Sequence, residues 1–162
     1  MTVQTSKCVL MGGVALFFTL VVFNNTTDFD SNYQFVRHVL MMDTTFAGNH
    51  GMWRAIRSPA LHTAFYLSII LWEGVTTVVT WWGFVRLVRA VNSPREEFAR
   101  AKGLGVAALT MGLMLWLVAF LSVGGEWFLM WQSASWNGQE AAFRMFCVLS
   151  FVLLYLVMPY GE

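Results

Sequence analysis

The sequence predicts an all-α membrane protein, a four-transmembrane-helix bundle with an amphipathic interfacial helix on its extracytoplasmic side. The first observation is composition: of 162 residues, 57% are hydrophobic and only 12% are charged, too apolar for a soluble domain of this size. The second is four long apolar runs, and the third is one short loop rich in basic residues. We assign residues 1–162 to a single integral membrane domain.

The apolar runs are the predicted spans, because about 20 apolar residues are needed to cross a hydrocarbon core about 30 Å thick. They lie at about residues 8–25, 61–84, 104–123 and 142–159. The first run resembles a signal-peptide core in length, but no small-residue cleavage site lies just beyond it. We therefore expect an uncleaved first helix.

The connection between the first two spans contains the predicted interfacial helix, NYQFVRHVLMMDTTF. Its apolar residues recur at helical spacing, which predicts an amphipathic helix lying in the membrane interface. They are Phe35, Val36, Val39, Leu40 and Met42. We expect this helix to roof the bundle.

The orientation follows from the loop between the second and third spans, because short cytoplasmic loops are enriched in Lys and Arg. That loop contains Arg86, Arg89, Arg95, Arg100 and Lys102. Both termini are then expected in the cytoplasm. The net charge of +1, without a basic tract, argues against nucleic acid as a partner.

The second span has one face of mainly polar residues that recur at alternating steps of four and three: His62, Tyr66, Ile69, Glu73, Thr76 or Thr77, and Thr80. Glu73 lies 11 residues past His62, about 16 Å along the helix and near the middle of the bilayer. An acidic side chain there costs about 2.5–3.5 kcal/mol on insertion scales. Glu73 should therefore face protein and be either neutral or partnered.

Three roles remain open for Glu73: a structural hydrogen-bonding acid, a contact to another subunit, or part of a proton or substrate relay. A relay usually needs a chain of ionisable groups through the membrane. Glu73, Thr77 and Thr80 are candidate interface or buried polar residues.

Cofactor binding has two weak candidates, His38 and His62. Haem bound by two histidines would need both imidazoles to face each other from packed helices. The spacing of the histidines along the sequence also does not predict a copper or zinc site. The sequence contains no nucleophile and base pair, phosphate loop or dinucleotide fingerprint, so we expect no catalytic residues and no enzyme. A quinone pocket stays open, because it needs little more than an apolar slot and one or two polar groups.

The stretch EWFLMWQSASWNGQEAAFR joins the last two spans. Its tryptophans suit an interfacial aromatic belt, and SWNGQ predicts a turn. Glu126 and Arg144 should lie at similar depth on adjacent helices, so an interfacial ion pair between them is geometrically reasonable. The density of polar and aromatic groups also fits a docking surface, whose candidate residues are Glu126, Trp127, Trp131, Gln132, Trp136, Asn137 and Arg144.

The chain resembles a family of small integral membrane proteins of unknown function from proteobacteria. The resemblance is carried by NNTTDFDSNYQFVRHVLMMDTTF, by IILWEG around Glu73, and by GGEWFLMWQSASWNGQEAAFR, and it covers nearly the whole chain. It implies a four-span inner-membrane protein and brings no activity or functional residues.

From these observations we expect a non-catalytic accessory or structural subunit that binds the lipid bilayer and a larger membrane complex, a respiratory or transport assembly. One alternative is a homo-oligomeric transporter or channel that uses Glu73. Another is a redox subunit that binds quinone or haem.

Overall fold

The computed structural model describes residues 2–159, which form helices and connecting loops without a strand. In chain order the longer elements are α1 (Val3–Thr27), α2 (Phe29–Met41), α3 (Pro59–Arg89), α4 (Arg95–Ala101), α5 (Gly103–Met114), a π-helix (Leu115–Trp127) and α6 (Gln139–Val157). Two 3-10 helices, His50–Arg54 and Met130–Gln132, lie in the connections.

Four helical stretches are long and apolar enough to cross a membrane, so the predicted four-helix membrane fold is confirmed. They are Val3–Thr27, Pro59–Arg89, Arg95–Trp127 and Gln139–Val157, the third formed by α4, α5 and the π-helix together. Large apolar side chains on their outer faces, such as Leu71, Val78 and Phe151, are exposed. In a bilayer, these side chains contact lipid.

Local sequence signals explain several helix ends. α3 begins at Pro59, where the missing N–H of proline costs no helical hydrogen bond. At the start of α1, the Thr2 hydroxyl oxygen accepts a hydrogen bond from the Thr5 backbone N–H at 3.2 Å. α2 ends at Met41, and the next residue, Met42, has a φ of 53°, the left-handed conformation that terminates many helices.

The third span packs through small residues. Ala101, Gly105, Ala108 and Gly112 follow at steps of four, three and four and are buried, a spacing that favours a close helix seam. At Gly105 the backbone also meets a glycine of α3: a Cβ atom added to Gly83 would lie 2.9 Å from the Gly105 backbone nitrogen. The backbones of α3 and α5 therefore touch at this point.

One end of the bundle contains the N-terminal end of α1, the turn after α3 and the C-terminal end of α6. Gln4 donates a hydrogen bond to the Ser93 carbonyl at 3.1 Å. The buried Lys7 ammonium donates to the carbonyls of Leu156 at 3.1 Å and Met158 at 2.6 Å, and so caps the end of α6. The basic loop lies at this same end.

The opposite end is covered by a roof, which we define as residues 29–57 and 127–138. Its halves come from different connections and pack around a small apolar cluster of Val39, Leu40, Met42, Phe128 and Met130. Hydrogen bonds join them as well: the Thr44 and Ser133 hydroxyls lie 2.7 Å apart, and Gln132 accepts from the Phe46 N–H. The roof is therefore one packed layer, and its position in the membrane interface stays a prediction.

Candidate functional site

Glu73 lies at the centre of a small buried hydrogen-bond network. Its side chain is 2% exposed, and its Oε2 atom accepts a hydrogen bond from the Asn25 amide nitrogen at 2.6 Å. The Tyr66 hydroxyl, on the same face of α3, donates to the Asn25 backbone carbonyl at 3.1 Å. Asn25 thus joins the end of α1 to two polar residues of α3, and Glu73 is partnered within its own bundle.

The threonines of the same polar face are bonded differently. Thr77 donates to the Glu73 carbonyl at 2.8 Å, and Thr80 donates to the Thr76 carbonyl at 2.6 Å. Each bond runs to the residue four positions earlier, a common pattern for threonine within a helix. In these hydrogen bonds, the Thr77 and Thr80 hydroxyls bind backbone carbonyls and not the Glu73 carboxyl.

Sequence analysis missed Asn25 as the partner of Glu73. The available signal was weak: a mid-membrane acid needs a polar partner, and Asn24 and Asn25 follow the first apolar run. Two asparagines at the end of a span are also typical of the start of a loop. The continuation of α1 to Thr27 keeps Asn25 helical and inside the bundle.

A polar cavity of about 350 Å³ adjoins this network. Four polar side chains and three aromatic rings line it, together with Val21, Gly138 and Ala141. The polar residues are Asn24, Asn25, Asn32 and Glu73, and the aromatic residues are Phe35, Trp116 and Phe120. The Trp116 indole nitrogen is buried and has no hydrogen-bond partner among residues 2–159.

An apolar cavity of about 260 Å³ shares two wall residues with the polar cavity. These are Phe35 and Phe120, whose rings stack with their centroids 6.2 Å apart. The rest of its lining is nearly all apolar and includes Val39, Ile69 and Val118. Two spaces, of which the first has more polar side chains in its wall, therefore share one aromatic pair.

The π-helix supplies wall residues to both cavities. It spans 13 residues, although most π-helical segments are single turns, and such segments are frequent at functional sites. The Ser122 hydroxyl donates to the Leu117 carbonyl at 2.8 Å, five residues earlier. Trp116 lines the polar cavity and Val118 the apolar one.

The two histidines considered for cofactor binding make internal contacts in or beside the roof. His38 Nδ1 lies 2.8 Å from an Asp43 carboxylate oxygen, and its ring stacks on Trp136 with centroids 4.6 Å apart. His62 is 1% exposed, and its Nε2 atom lies 2.8 Å from the Ile56 carbonyl oxygen, to which it donates. Within residues 2–159, no three His, Cys, Asp or Glu side chains group as a metal site.

The candidate docking residues divide into internal and exposed groups. Gln132 and Trp136 bind the other half of the roof, whereas Trp127 and Trp131 are 48% and 45% exposed. Asn137 is exposed and accepts a hydrogen bond from the Gln139 backbone N–H at 3.0 Å at the start of α6.

The expected ion pair between Glu126 and Arg144 is wrong, since none joins them within the described part of the chain. Both side chains are exposed, where an ion pair would contribute little. Arg54 instead reaches this region, donating to the backbone carbonyls of Glu126 at 3.5 Å and Trp127 at 3.1 Å.

Two exposed aromatic pairs cross the roof, each with one ring from either half. Trp53 and Trp127 meet edge to face at a centroid distance of 5.8 Å, as do Phe46 and Trp131. The Arg54 guanidinium lies 5.4 Å from the Trp53 ring and 5.1 Å from the Trp127 ring. Contacts of this kind are attractive and hold the three side chains in one arrangement.

A comparison with protein-family models matches residues 3–159 to a family described as "Predicted small integral membrane protein (DUF2165)". The match covers nearly the whole chain and indicates no catalytic family. Neither the curated proteins nor the solved structures contain a match.

Proposed function

Since the chain belongs to this family of small integral membrane proteins, we propose that it is a non-catalytic accessory or structural subunit. Its partner would be a larger complex of the bacterial inner (cytoplasmic) membrane, a respiratory or transport assembly. The observation that carries the proposal is a fixed, exposed patch of aromatic and cationic side chains on the roof.

The roof patch consists of Phe46, Trp53, Arg54, Trp127 and Trp131. Its four aromatic side chains are 45–73% exposed, so they present a large apolar area at the end of the bundle. Tryptophan and arginine are enriched at protein interfaces and dominate binding energy there. Because Arg54 is held by two backbone carbonyls, the patch is ordered before binding, which lowers the entropic cost of association.

The proposed orientation places the roof patch outside the cytoplasm. Arg86, Arg89, Arg95, Arg100 and Lys102 lie at the opposite end of the bundle, and clusters of this kind favour the cytoplasmic side. Both ends of the described chain lie at that end too, through the contacts of Gln4 and Lys7. The partner would then be contacted at the extracytoplasmic boundary.

The hydrogen bonds of α3 also support a subunit over the alternative, a transporter. Beyond Glu73, the hydroxyls of Thr76, Thr77 and Thr80 bond to carbonyls of their own helix. A proton pathway usually continues through a chain of ionisable groups. Flux through reconstituted protein that is abolished by Glu73→Gln would favour the transporter instead.

The test is site-specific photo-crosslinking in native membranes. A photoreactive residue is placed at position 53, in the roof patch, or at position 82, a Trp that is 61% exposed on the outer face of α3. We expect one crosslinked protein from position 53 and lipid adducts from position 82. The same protein should co-purify stoichiometrically, and Trp53→Ala with Trp127→Ala should remove it.

Trp82→Ala is the matched control, since it removes an exposed tryptophan outside the roof patch. If the exposed tryptophans form an aromatic belt that contacts only lipid, no protein crosslink is expected from position 53 or position 82. Purification of the protein alone, together with lipid adducts from position 53, would refute the subunit proposal.

A further inference from the structure

The Glu73 carboxyl has one oxygen without a hydrogen-bond partner. Oε2 accepts a hydrogen bond from Asn25 at 2.6 Å, whereas Oε1 makes none within the described chain. Oε1 is also not one of the unpartnered polar atoms that the surrounding protein encloses completely. Because Glu73 is 2% exposed and is a wall residue of the polar cavity, the remaining accessible surface of its side chain lies in that cavity. The cavity therefore contains an unused hydrogen-bond acceptor.

No cationic side chain balances this acid. Among residues 2–159, no Lys, Arg or His lines the cavity, and Glu73 forms no ion pair. One amide hydrogen bond does not replace the hydration that a carboxylate loses on burial, so a buried carboxylate calls for a partner of opposite charge. A phosphate or carboxylate ligand would add a second negative charge, whereas a cation beside Oε1 would supply the missing partner.

Three asparagines add neutral hydrogen-bond acceptors to the same wall. They are Asn24, Asn25 and Asn32, and each carboxamide oxygen can accept a hydrogen bond from an N–H donor. Asn24 and Asn32 are exposed, so the polar part of the wall extends from the buried acid to the protein surface. This wall suits a cation that has several N–H donors, which is the property of an ammonium group.

The aromatic part of the wall favours an organic cation over a metal ion. Phe35, Trp116 and Phe120 line the cavity, and the Trp116 and Phe120 ring centroids are 4.9 Å apart. Aromatic rings attract cations and also pack against flat apolar groups. A metal ion prefers a shell of oxygen, nitrogen or sulfur ligands, and no three His, Cys, Asp or Glu side chains group within the described residues.

We infer that the polar cavity binds an organic ammonium ion with a small apolar body. The ammonium group donates to Glu73 Oε1, and the body packs against the aromatic rings. The cavity volume of about 350 Å³ falls in the usual range of small-molecule sites, about 300–1,000 Å³. The ligand is a free amine and not a lipid headgroup, because the phosphate of a headgroup would lie near Glu73 without a cation of the protein. The inference concerns binding alone and does not rest on the accessory-subunit proposal.

The test compares two probes of nearly the same shape, 2-phenylethylammonium and 2-phenylethanol, of which only the first is charged. Each probe is titrated calorimetrically into the protein in phosphatidylcholine nanodiscs, and the heat measured with empty nanodiscs is subtracted. We expect the ammonium ion to bind about tenfold more tightly, the effect of one hydrogen bond to a charged group.

Glu73→Gln removes the charge but keeps an oxygen that can accept from the Asn25 amide. The preference for the ammonium ion should therefore disappear, while 2-phenylethanol still binds. Glu140→Gln is the matched control, because Glu140 is exposed and is not a wall residue of the cavity. In this control the preference should stay about tenfold, as in the unchanged protein.

A further variant, Ala141→Phe, tests the location of the site. Ala141 is exposed and lines the cavity, so a phenyl side chain there would fill part of the space without changing a charge. Both probes should therefore lose affinity.

Equal affinity for the two probes in the unchanged protein would overturn the inference, because Glu73 would then offer the ligand no charge. A preference for the ammonium ion that survives Glu73→Gln, or undiminished binding to Ala141→Phe, would also overturn it. So would competition by phosphatidylethanolamine added to the nanodiscs, because the cavity would then hold a lipid headgroup. Failure of the crosslinking experiment would leave these results unaffected.

Discussion

The two halves of the polar face of α3 are equally buried but are bonded in opposite ways. In the half near the roof, His62, Tyr66 and Glu73 bond to residues outside α3. In the other half, Thr76 and Thr80 are fully buried and bond to carbonyls of α3 itself. A polar stripe on a membrane helix can therefore contain both tertiary hydrogen bonds and bonds that stay within the helix.

Side-chain length explains the difference. A threonine hydroxyl lies close enough to the helix to reach the carbonyl four residues earlier, so it needs no other helix. The Glu73 carboxyl and the Tyr66 hydroxyl extend away from α3, and they need a partner supplied by α1. The first half should therefore be sensitive to its neighbours and the second half insensitive.

The largest effect is expected for Asn25→Leu. It removes the donor to a carboxyl that is 2% exposed and leaves that carboxyl without this partner. Leaving a buried hydrogen-bonding group unsatisfied costs about 1–3 kcal/mol, so the free energy of unfolding should fall by about 2 kcal/mol. Unfolding by denaturing detergent, followed by circular dichroism, measures it.

A double-mutant cycle with Glu73→Leu is the control, because removing both partners should restore much of the loss. Additive losses in the free energy of unfolding would show that Asn25 and Glu73 act independently. That result would contradict the proposed difference between the two halves of the polar face of α3.

A smaller effect is expected for Tyr66→Phe. The ring, which is 1% exposed, keeps its packing, and only the hydroxyl that donates to the Asn25 carbonyl is removed. Hydrogen bonds between membrane helices average about 0.6 kcal/mol and reach about 1.7 kcal/mol, so we expect a loss of about 1 kcal/mol in the same assay. Tyr33→Phe, on a half-buried tyrosine of α2, is the matched substitution. A loss above that for Asn25→Leu would reverse the proposed order.

The smallest effect is expected for Thr80→Val. The side chain keeps its shape and is 0% exposed, while its hydroxyl bonds only within α3 among the described contacts. The change in the free energy of unfolding should stay within about 0.5 kcal/mol, because a helix carbonyl already accepts a backbone bond. A destabilisation as large as that of Asn25→Leu would show that Thr80 supports a tertiary contact, and the two halves of α3 would no longer differ.

Much of the fold was predictable because a bilayer restricts a chain strongly. Apolar runs of sufficient length predict spanning helices, and the small residues that include Gly105 and Gly112 predict a packing seam. The close approach of Gly83 to the Gly105 backbone was not predictable, since one glycine in a long helix has many possible neighbours. The failure of the Glu126 and Arg144 pair has a similar cause, because equal depth on adjacent helices does not bring two side chains together.

The membrane class, the four spans, and the need of Glu73 for burial and a partner all follow from the amino-acid sequence. These properties depend on composition and on the 3.6-residue period, which are local. Helix packing, by contrast, makes Asn25 that partner, places Phe35 and Phe120 beside two cavities, and joins two connections in the roof. Each of these joins residues distant in the chain, and their meeting depends on how whole helices pack, which no single segment encodes.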